Sequence, residues 1–335
     1  MSIPKGRPPR RRGARDGLTM PRANTSDRRA WVRDTLSPSD WVVPLPAGAV
    51  DEIEAVVHRL RRDPLPTLLL SPAQFDLTQC REVMAAVGRQ LHDGIGLAVL
   101  DRVRVERFSV DENRAVAWLL GSLLGRLVAQ KWDGTMVYDV RDTGQALGYG
   151  VRRSVTNLDL QFHTDAPWLA EPPELVGLLC LHPAVEGGVS RFVSLVTAHE
   201  ELKRQQPALL RRLYEPVPWD RQAEHAPDDA KVAHQPVFEA IAGGLRGRYN
   251  HNLVESALSL TAGSLDDEGG QALMAMSEIL NSPAQWVEFT IEKGQLQYLN
   301  NRLFAHSRTP FRDADEPERR RHLIRLWNRD RKSVV

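Results

Sequence analysis

The sequence predicts an α+β fold in which short strands form a sandwich or barrel and helices flank it. Helical spacing of apolar residues dominates the first third of the 335-residue chain. From about Met136 onward, short strand candidates alternate with Gly, Pro and Asp. Neither an internal repeat nor a Pro/Ser-rich linker interrupts residues 29–335. These observations favour one decorated domain over that span.

The predicted elements follow from local periodicity, taken in chain order. Before Met136, apolar residues at helical spacing predict three helices, at residues 49–62, 77–91 and 111–131. Short apolar runs predict two strands in the same part of the chain, at residues 68–70 and 94–100. Beyond Met136, two helical segments are expected among the strands, at residues 196–214 and 270–280.

Composition excludes several classes of protein. The chain is 42% hydrophobic and 26% charged with a formal net charge of +1, which is typical of a soluble protein. Its longest apolar runs, at residues 115–120 and 175–181, are far shorter than the roughly 20 residues of a membrane-spanning helix, so no membrane association is expected. Cys80 and Cys180 are too few for a disulfide framework or a cysteine-based zinc site. The chain is therefore expected in the reducing cytoplasm.

Residues 1–28 differ from the rest of the chain. They are basic, rich in Pro, Gly and Arg, and nearly free of large apolar side chains, so they are predicted to form a disordered tail. A basic arm can bind nucleic acid or an anionic membrane surface, but a solvated tail is the simpler interpretation. The near-neutral total charge gives no general field for nucleic acid, and a nucleic-acid partner is not expected.

A metal-binding pair is predicted where one strand candidate ends. Residues 158–165 alternate apolar and polar side chains and run through His163 to Asp165. In an extended chain residues i and i+2 point to the same side, so these two side chains can share one ion. His199 and Glu201 have the same spacing, but they lie in a predicted helix, where that spacing sets them about 200° apart. Only His163 and Asp165 are therefore predicted to bind one metal ion together.

A third ligand is expected near the C-terminus. A strand-like run covers residues 294–301, and His306 follows it. Two histidines and one carboxylate occupy one face of an octahedral ion and leave three positions open, as in non-haem Fe(II) oxygenases. Oxygen needs one of these positions, and a bidentate 2-oxo acid needs two. The alternative is a non-catalytic protein that binds zinc or no metal, although a structural zinc site would be closed.

Two arginines share one face of the last predicted strand. Residues 321–327 are expected to be extended, which places Arg321 and Arg325 on one face and roughly 13 Å apart along the backbone. Arg suits planar, bidentate recognition of a carboxylate. One guanidinium can hold the 2-oxo acid and the other the substrate. The alternative is that the arginines of this segment simply solvate a C-terminal strand.

Four motifs in this order resemble the taurine dioxygenase and clavaminate synthase superfamily of Fe(II)/2-oxoglutarate oxygenases. They are FHTD at 162–165, PAVEGGVS at 183–190, NNRLFAHSRTPF at 300–311 and RRHLIRLW at 320–327. The resemblance covers roughly residues 95–330. It implies a double-stranded β-helix, or jelly-roll, core flanked by helices. It also implies that His163, Asp165 and His306 bind iron.

The same resemblance assigns roles to further residues. It implies that Arg321 forms a salt bridge with the C5 carboxylate of 2-oxoglutarate, and that Ser190 donates a hydrogen bond there, where the family usually has Thr. Arg325 matches a position that in some members reaches an acidic group of the substrate. Asp165 stands where family halogenases carry a small residue, so hydroxylation is the default reaction that the resemblance implies.

The implied reaction is hydroxylation of a small polar or amino-acid-like substrate, with release of succinate and CO2 from 2-oxoglutarate and O2. Asn157 lies at an even offset from His163 and is a candidate for the substrate pocket, with a structural hydrogen bond as its alternative. Trp168 is a second candidate, with packing as its alternative. A nucleic-acid demethylase with the same iron chemistry is a further alternative, and the oligomeric state stays open.

Overall fold

The computed structural model describes residues 27–146, 148–241 and 244–329. The basic tail predicted at residues 1–28 lies outside these residues except for its last two. Within the described residues the chain forms seven α-helices, namely α1 (Ala47–Arg62), α2 (Thr78–His92), α3 (Val110–Leu124), α4 (Leu195–Gln205), α5 (Pro207–Arg212), α6 (His251–Thr261) and α7 (Asp267–Asn281). No helix in these three stretches is long and apolar enough to cross a membrane.

Short strands make up the rest of the regular structure. They are β1 (Val42–Pro44), β2 (Leu97–Asp101), β3 (Arg126–Leu127), β4 (Tyr138–Val140), β5 (Leu160–His163), β6 (Leu175–His182), β7 (Glu186–Gly187), β8 (Ser190–Ser194), β9 (Pro216–Asp220), β10 (Val232–Pro236), β11 (Phe238–Ile241), β12 (Gly244–Gly247), β13 (Trp286–Phe289), β14 (Leu296–Asn300), β15 (Phe304–Arg308), β16 (Phe311–Arg312) and β17 (His322–Arg329). Mixed helices and sheets confirm the predicted α+β class.

The larger sheet has seven strands in the order β1-β2-β14-β6-β17-β3, with β4 paired to β17 as well. Only the β1–β2 pair is parallel. The smaller sheet has the order β13-β8-β15-β5 and is antiparallel throughout. Three two-stranded ribbons, β9–β10, β11–β12 and β7–β16, complete the strand pairing.

Alternate residues of the larger sheet belong to two hydrophobic cores. Leu97 and Val99 of β2 join a core that also contains Phe192 and Phe304 of the smaller sheet. Ala98 and Leu100 join a second core, with the apolar faces of α1, α2 and α3. Because side chains alternate along a strand, one face of this sheet packs toward the smaller sheet and the other is covered by the N-terminal helices. The sequences of the strands in the larger sheet are therefore nearly continuous runs of apolar residues.

Three predicted elements differ from the structure. The strand expected at residues 68–70 is a 3₁₀ turn, Thr67–Leu69, because Pro64 and Pro66 precede it and leave Leu68 and Leu69 54% and 66% exposed with no sheet to join. The helix expected over 111–131 ends at Leu124, since the chain turns extended at Gly125 and pairs with β17. The helix expected over 196–214 breaks into α4 and α5 at Pro207.

Candidate active site

Two histidines lie next to each other on adjacent strands of the smaller sheet. His163 ends β5 and pairs in register with His306 of β15, and their ring centroids are 4.2 Å apart. His163 Nδ1 lies 2.9 Å from the Gln161 carbonyl, which can only accept a hydrogen bond, so Nδ1 carries the proton. Nε2 of His163 is thereby left as a ligand atom, 3.5 Å from Oδ1 of Asp165. The same oxygen lies 4.0 Å from Nε2 of His306.

Asp165 reaches the histidines from a turn rather than from the strand. The predicted strand runs into His163, and β5 ends there, so Asp165 lies beyond the strand. Thr164 forms two hydrogen bonds with the backbone of Tyr249. The Thr164 N–H donates to the Tyr249 carbonyl at 2.7 Å, and the Thr164 hydroxyl accepts the Tyr249 N–H at 3.0 Å. Asn301 fixes the next peptide, because its Oδ1 accepts the Asp165 N–H at 2.7 Å and its Nδ2 donates to the Asp165 carbonyl at 3.0 Å. These contacts hold the carboxylate beside the two imidazoles.

The outer oxygen of Asp165 is bound by two side chains of β17. Trp327 Nε1 donates to Oδ2 at 2.7 Å, and Arg325 Nη1 lies 3.2 Å from the same oxygen. Burial alone would raise the pKa of this carboxyl, but the charge of Arg325 and the two nearby histidines hold that pKa well below its usual range. Asp165 is therefore ionised, with Oδ1 free to bind a cation.

The three side chains form a ligand set for a divalent metal ion. One ligand atom of each lies within 4.8 Å of the others, and this is the one such group in the described ranges. Burial, with the nearby His163 and Arg325, lowers the pKa of His306 to about 3, although Asp165 opposes the shift. The imidazole of His306 is thus neutral and able to bind a metal. Two imidazole nitrogens and one carboxylate fit the facial ligand set of non-haem iron, as the sequence predicts.

Arg325 is held rigidly in the wall of a cavity. Its Nε donates to Oε1 of Gln130 at 2.7 Å, while Gln130 Nε2 donates to the Arg325 carbonyl at 2.7 Å. Its guanidinium lies 4.9 Å from the ring centroid of Tyr138 and 5.1 Å from that of Trp327. Nη2 is buried and has no hydrogen-bond partner among the described residues. Nη2 is therefore the one nitrogen of this guanidinium that no described residue engages.

Arg321 lies just before β17 and is also buried. Its guanidinium is 5.1 Å from the ring centroid of Phe311, and Arg308 contacts the same ring at 4.6 Å. Burial lowers the pKa of Arg321 to about 10, so it stays charged at neutral pH. Nη1 of Arg321 is buried without a hydrogen-bond partner in the part of the chain that is described, whereas Arg308 Nη2 donates to the carbonyl of Thr156 at 2.9 Å. A buried, unpaired guanidinium fits an anion.

The two glycines of the motif at 183–190 lie next to Arg321. Gly187 and Gly188 both adopt positive φ, and a Cβ on Gly187 would come within 2.2 Å of the Pro310 carbonyl oxygen. A Cβ on Gly188 would lie 3.5 Å from Nε of Arg321. The turn leads into β8, whose first residue, Ser190, is buried opposite Arg308 in the register. The glycines therefore let the chain pass close to this basic cluster.

A cavity of about 450 Å³ opens beside the metal ligands. Its wall contains His163, Asp165, Trp168, Arg325 and Trp327. Two of the candidate substrate residues, Trp168 and Arg325, thus line this cavity.

The structure does not bring Asn157 to the cavity. Asn157 is exposed, and its carbonyl accepts the Phe311 N–H at 3.0 Å. A 3₁₀ turn, Arg153–Val155, precedes it, and β5 begins only at Leu160. An even offset from His163 therefore does not place it on the same side of a strand.

The comparisons with known proteins agree with this geometry. The sequence profile of the family described as taurine catabolism dioxygenase TauD, TfdA family matches residues 61–327. The chain belongs to this family. Members of it are Fe(II)- and 2-oxoglutarate-dependent oxygenases, and the ligand set described above is the one that this chemistry requires. The alternative of a non-catalytic metal-binding protein is therefore set aside.

Relatives and solved structures give the degree of similarity. FR-33289 synthase of Streptomyces rubellomurinus is 29% identical over 303 residues, covering 90% of this chain and 87% of the relative. Taurine hydroxylase-like protein SAT17 of Stachybotrys chartarum is 25% identical over 318 residues, covering 91% of this chain and 80% of the relative.

Two solved structures share the fold. A structure of asparagine oxygenase with Fe(II), 3-hydroxyasparagine and succinate has a TM-score of 0.64 at 18% identity, covering 86% of this chain and 93% of that one. A structure of the non-heme iron oxygenase OrfP with Fe and alpha-ketoglutaric acid has a TM-score of 0.63 at 14% identity, covering 85% of this chain and 93% of the OrfP chain.

Several residues of the site were not predicted from the sequence. Gln130 was placed at the end of a helix, yet it lies in a loop and holds Arg325 from 195 residues away. Asn301 belongs to the motif at 300–311, so its position beside His306 was a signal, but its contacts with Asp165 join residues 136 apart. Arg308 follows His306 by two residues in the same strand. Such long-range partners are set by the packing of the two sheets.

Proposed function

We propose that the protein hydroxylates a small amino-acid-like molecule that carries an anionic group, with release of succinate and CO2. One observation carries the proposal: Arg325 lines the cavity that contains two of the three metal ligands, and its buried Nη2 has no hydrogen-bond partner among the described residues. The other nitrogens of this guanidinium are engaged by Asp165 and Gln130, so its orientation is fixed before a substrate arrives. An anion on Nη2 would place the neighbouring part of the substrate beside the metal ligands.

The binding of 2-oxoglutarate is proposed at Arg321. Its unpartnered Nη1 would pair with the C5 carboxylate, and the Ser190 hydroxyl would donate a hydrogen bond to the same group. Arg308 is bound to backbone carbonyls and would keep Arg321 and the Phe311 ring in place. The co-substrate and the substrate would thus use two separate buried cations.

The protein's own residues position and shield the reactants. Fe(II), 2-oxoglutarate and O2 together supply the oxidising chemistry. His163, Asp165 and His306 would hold the metal, and Trp327 and Arg325 fix the outer oxygen of Asp165. Trp168 and Trp327 line the cavity, where they would limit the access of water to the bound reactants.

Related proteins support an amino-acid-like substrate. One structure of asparagine oxygenase contains 3-hydroxyasparagine, and one structure of OrfP contains 3-hydroxyarginine. The cavity of about 450 Å³ is of the size that accommodates small molecules, so we propose a small-molecule partner rather than a nucleic acid.

We further propose that the two sheets form a double-stranded β-helix core and that residues 29–335 are one domain. In support, β2 near the N-terminus pairs with β14, which pairs in turn with β6 and through it reaches β17. A cytoplasmic location is proposed because Cys80 and Cys180 are both buried and unpaired.

Succinate release tests the proposed function. The full chain with Fe(II), ascorbate and 2-oxoglutarate would be screened against amino acids and other small anionic molecules, with mass spectrometry for a gain of one oxygen atom. We expect at least one compound to give succinate and a hydroxylated product in equal amounts. Asp165→Ala is the control that should remove both. Succinate release that no compound stimulates, from a protein that binds Fe(II) and 2-oxoglutarate, would contradict the proposal.

A further inference from the structure

The cavity contains a second buried carboxylate that the metal does not use. Asp220 ends β9 in the cavity wall and is only 4% exposed. Its Oδ1 accepts the N–H of Gln222 at 2.8 Å, and its Oδ2 accepts the hydroxyl of Ser256 at 2.5 Å. Both donors are neutral, and no ion pair joins Asp220 to a basic side chain within the described residues. It is thus a buried carboxyl group that forms no ion pair in the described part of the chain.

Two acidic groups near the cavity wall are paired with arginines, whereas Arg153 of the same wall donates to the backbone carbonyl of Asp159 at 3.2 Å. Asp165 is paired with Arg325 at 3.2 Å, and Arg152 is paired with Glu224 at 2.6 Å. A buried charge is costly unless it is paired, and the cost is relieved when a ligand supplies the opposite charge. A carboxylate offers about four acceptor positions, of which Asp220 uses two. It can therefore still accept hydrogen bonds from a ligand.

Helix α6 adds hydrogen-bonding groups beside Asp220. Asn252, Ser256 and Ser259 follow the i, i+4, i+7 spacing of one helix face and all line the cavity. The Ser256 hydroxyl donates its proton to Asp220, so its oxygen lone pairs are available to accept from a ligand. This wall therefore favours a group rich in N–H donors, whereas the Arg325 wall favours an anion.

We propose that Asp220 and Ser256 form a subsite for a cationic nitrogen of the substrate, either a primary ammonium or a guanidinium. The substrate is then a zwitterion held between Arg325 and Asp220. This inference rests on the proposed function, because it takes Arg325 as the anion site. It adds the chemical class of the opposite end of the substrate.

Pairs of simple acids test the subsite. The ω-amino acids from glycine to 6-aminohexanoate would be compared with the ω-hydroxy acids of equal length by isothermal titration of the full chain. Both series carry one carboxylate, and they differ only in ammonium against hydroxyl. The titrations would be run with and without Mn(II) and 2-oxoglutarate, which together fill the metal site without turnover. We expect one chain length to bind as the amine at least roughly 10-fold more tightly than as the alcohol.

Variants of the carboxylate assign the preference to Asp220. Asp220→Asn keeps an acceptor for the Gln222 N–H but loses the charge, and it should bring the amine-to-alcohol ratio to about one. Asp220→Glu keeps the charge on a longer side chain and should restore the preference at a shorter amino acid. Asp228→Asn removes an exposed acid from the loop that follows β9 and should leave the ratio unchanged. Circular dichroism would show that each variant is folded.

The outcomes separate this inference from the proposed function. Equal binding of amines and alcohols at every length, no binding of any amine, or an unchanged ratio in Asp220→Asn would overturn the subsite even if the enzyme hydroxylates some compound. Conversely, an amine preference that Asp220→Asn abolishes, in a protein that releases no succinate, would support the subsite and contradict the proposed reaction.

Discussion

The hydrogen bond between Trp327 and Asp165 gives a direct test of how the metal site is held. Trp327→Phe removes the Nε1–H that donates to Oδ2 at 2.7 Å, while Arg325 Nη1 still contacts the same oxygen at 3.2 Å. A hydrogen bond to a charged group contributes about 1.5–3 kcal/mol. Because one partner of the oxygen remains, the lower end of this range applies, which corresponds to a roughly 10-fold weaker affinity for the metal.

The assay is anaerobic calorimetric titration of the metal-free protein with Fe(II), and Trp219→Phe is its matched control. Trp219 is also fully buried and donates its Nε1–H to a backbone carbonyl, that of Gln235, at 2.9 Å. Both variants lose one indole and one hydrogen bond, so both should lower the free energy of unfolding. Only Trp327→Phe should weaken Fe(II) binding. Unchanged affinity in that variant, or equal weakening in both, would refute the proposed role of Trp327.

Three further predictions follow from the buried groups. Arg321→Ala should raise the KM for 2-oxoglutarate by roughly 30-fold or more, the equivalent of about 2 kcal/mol for a buried charge pair, with a smaller effect on kcat at saturation; an unchanged KM in steady-state succinate assays would exclude this anion site. His306→Ala should abolish turnover yet keep the far-UV circular dichroism spectrum, because it removes a ligand without breaking β15; residual activity above background would contradict its role. Burial, opposed by Glu200, lowers the pKa of His199 below its usual value, so the unfolded chain takes up a proton that the folded chain does not as pH falls through about 6.5. The free energy of unfolding should therefore drop from pH 7 to pH 5.5, and urea titrations should show a smaller drop in His199→Gln; equal drops in the two proteins would contradict the assignment.

The metal ligands could be predicted because local patterns carry them. The alternation through His163 marks β5, and the strand-like run before His306 marks β14, whereas His306 itself lies on the next strand, β15. His163 and His306 pair across β5 and β15, which is a long-range contact. It could still be expected, because a facial ligand set needs a second histidine close to His163 and Asp165. The geometry at Asp165 differed in detail, because a turn rather than an extended strand presents this carboxylate.

The partners of the ligands could not be predicted from local patterns. Arg325 was recognised as a cation on the last strand, but nothing near it in the sequence indicates that it pairs with Asp165, which lies 160 residues earlier. Asp220 gave no signal either, since its burial depends on the packing of α6 against β9. The apolar run at Leu68 illustrates the opposite error, in which a local pattern predicted a strand and no neighbouring strand was available. The pairing and register of the strands therefore determine the long-range contacts that local periodicity cannot predict.

Anaerobic titration of the metal-free protein with Fe(II) and 2-oxoglutarate tests the central claim most directly. Chelation of Fe(II) by a 2-oxo acid at a facial ligand set gives a weak visible charge-transfer band. We expect this band in the unaltered chain, its loss in His163→Ala, and its appearance only at higher 2-oxoglutarate concentration in Arg321→Ala. A protein that binds Fe(II) tightly but gives no band with 2-oxoglutarate, or a band that persists in His163→Ala, would contradict the assignment of this site.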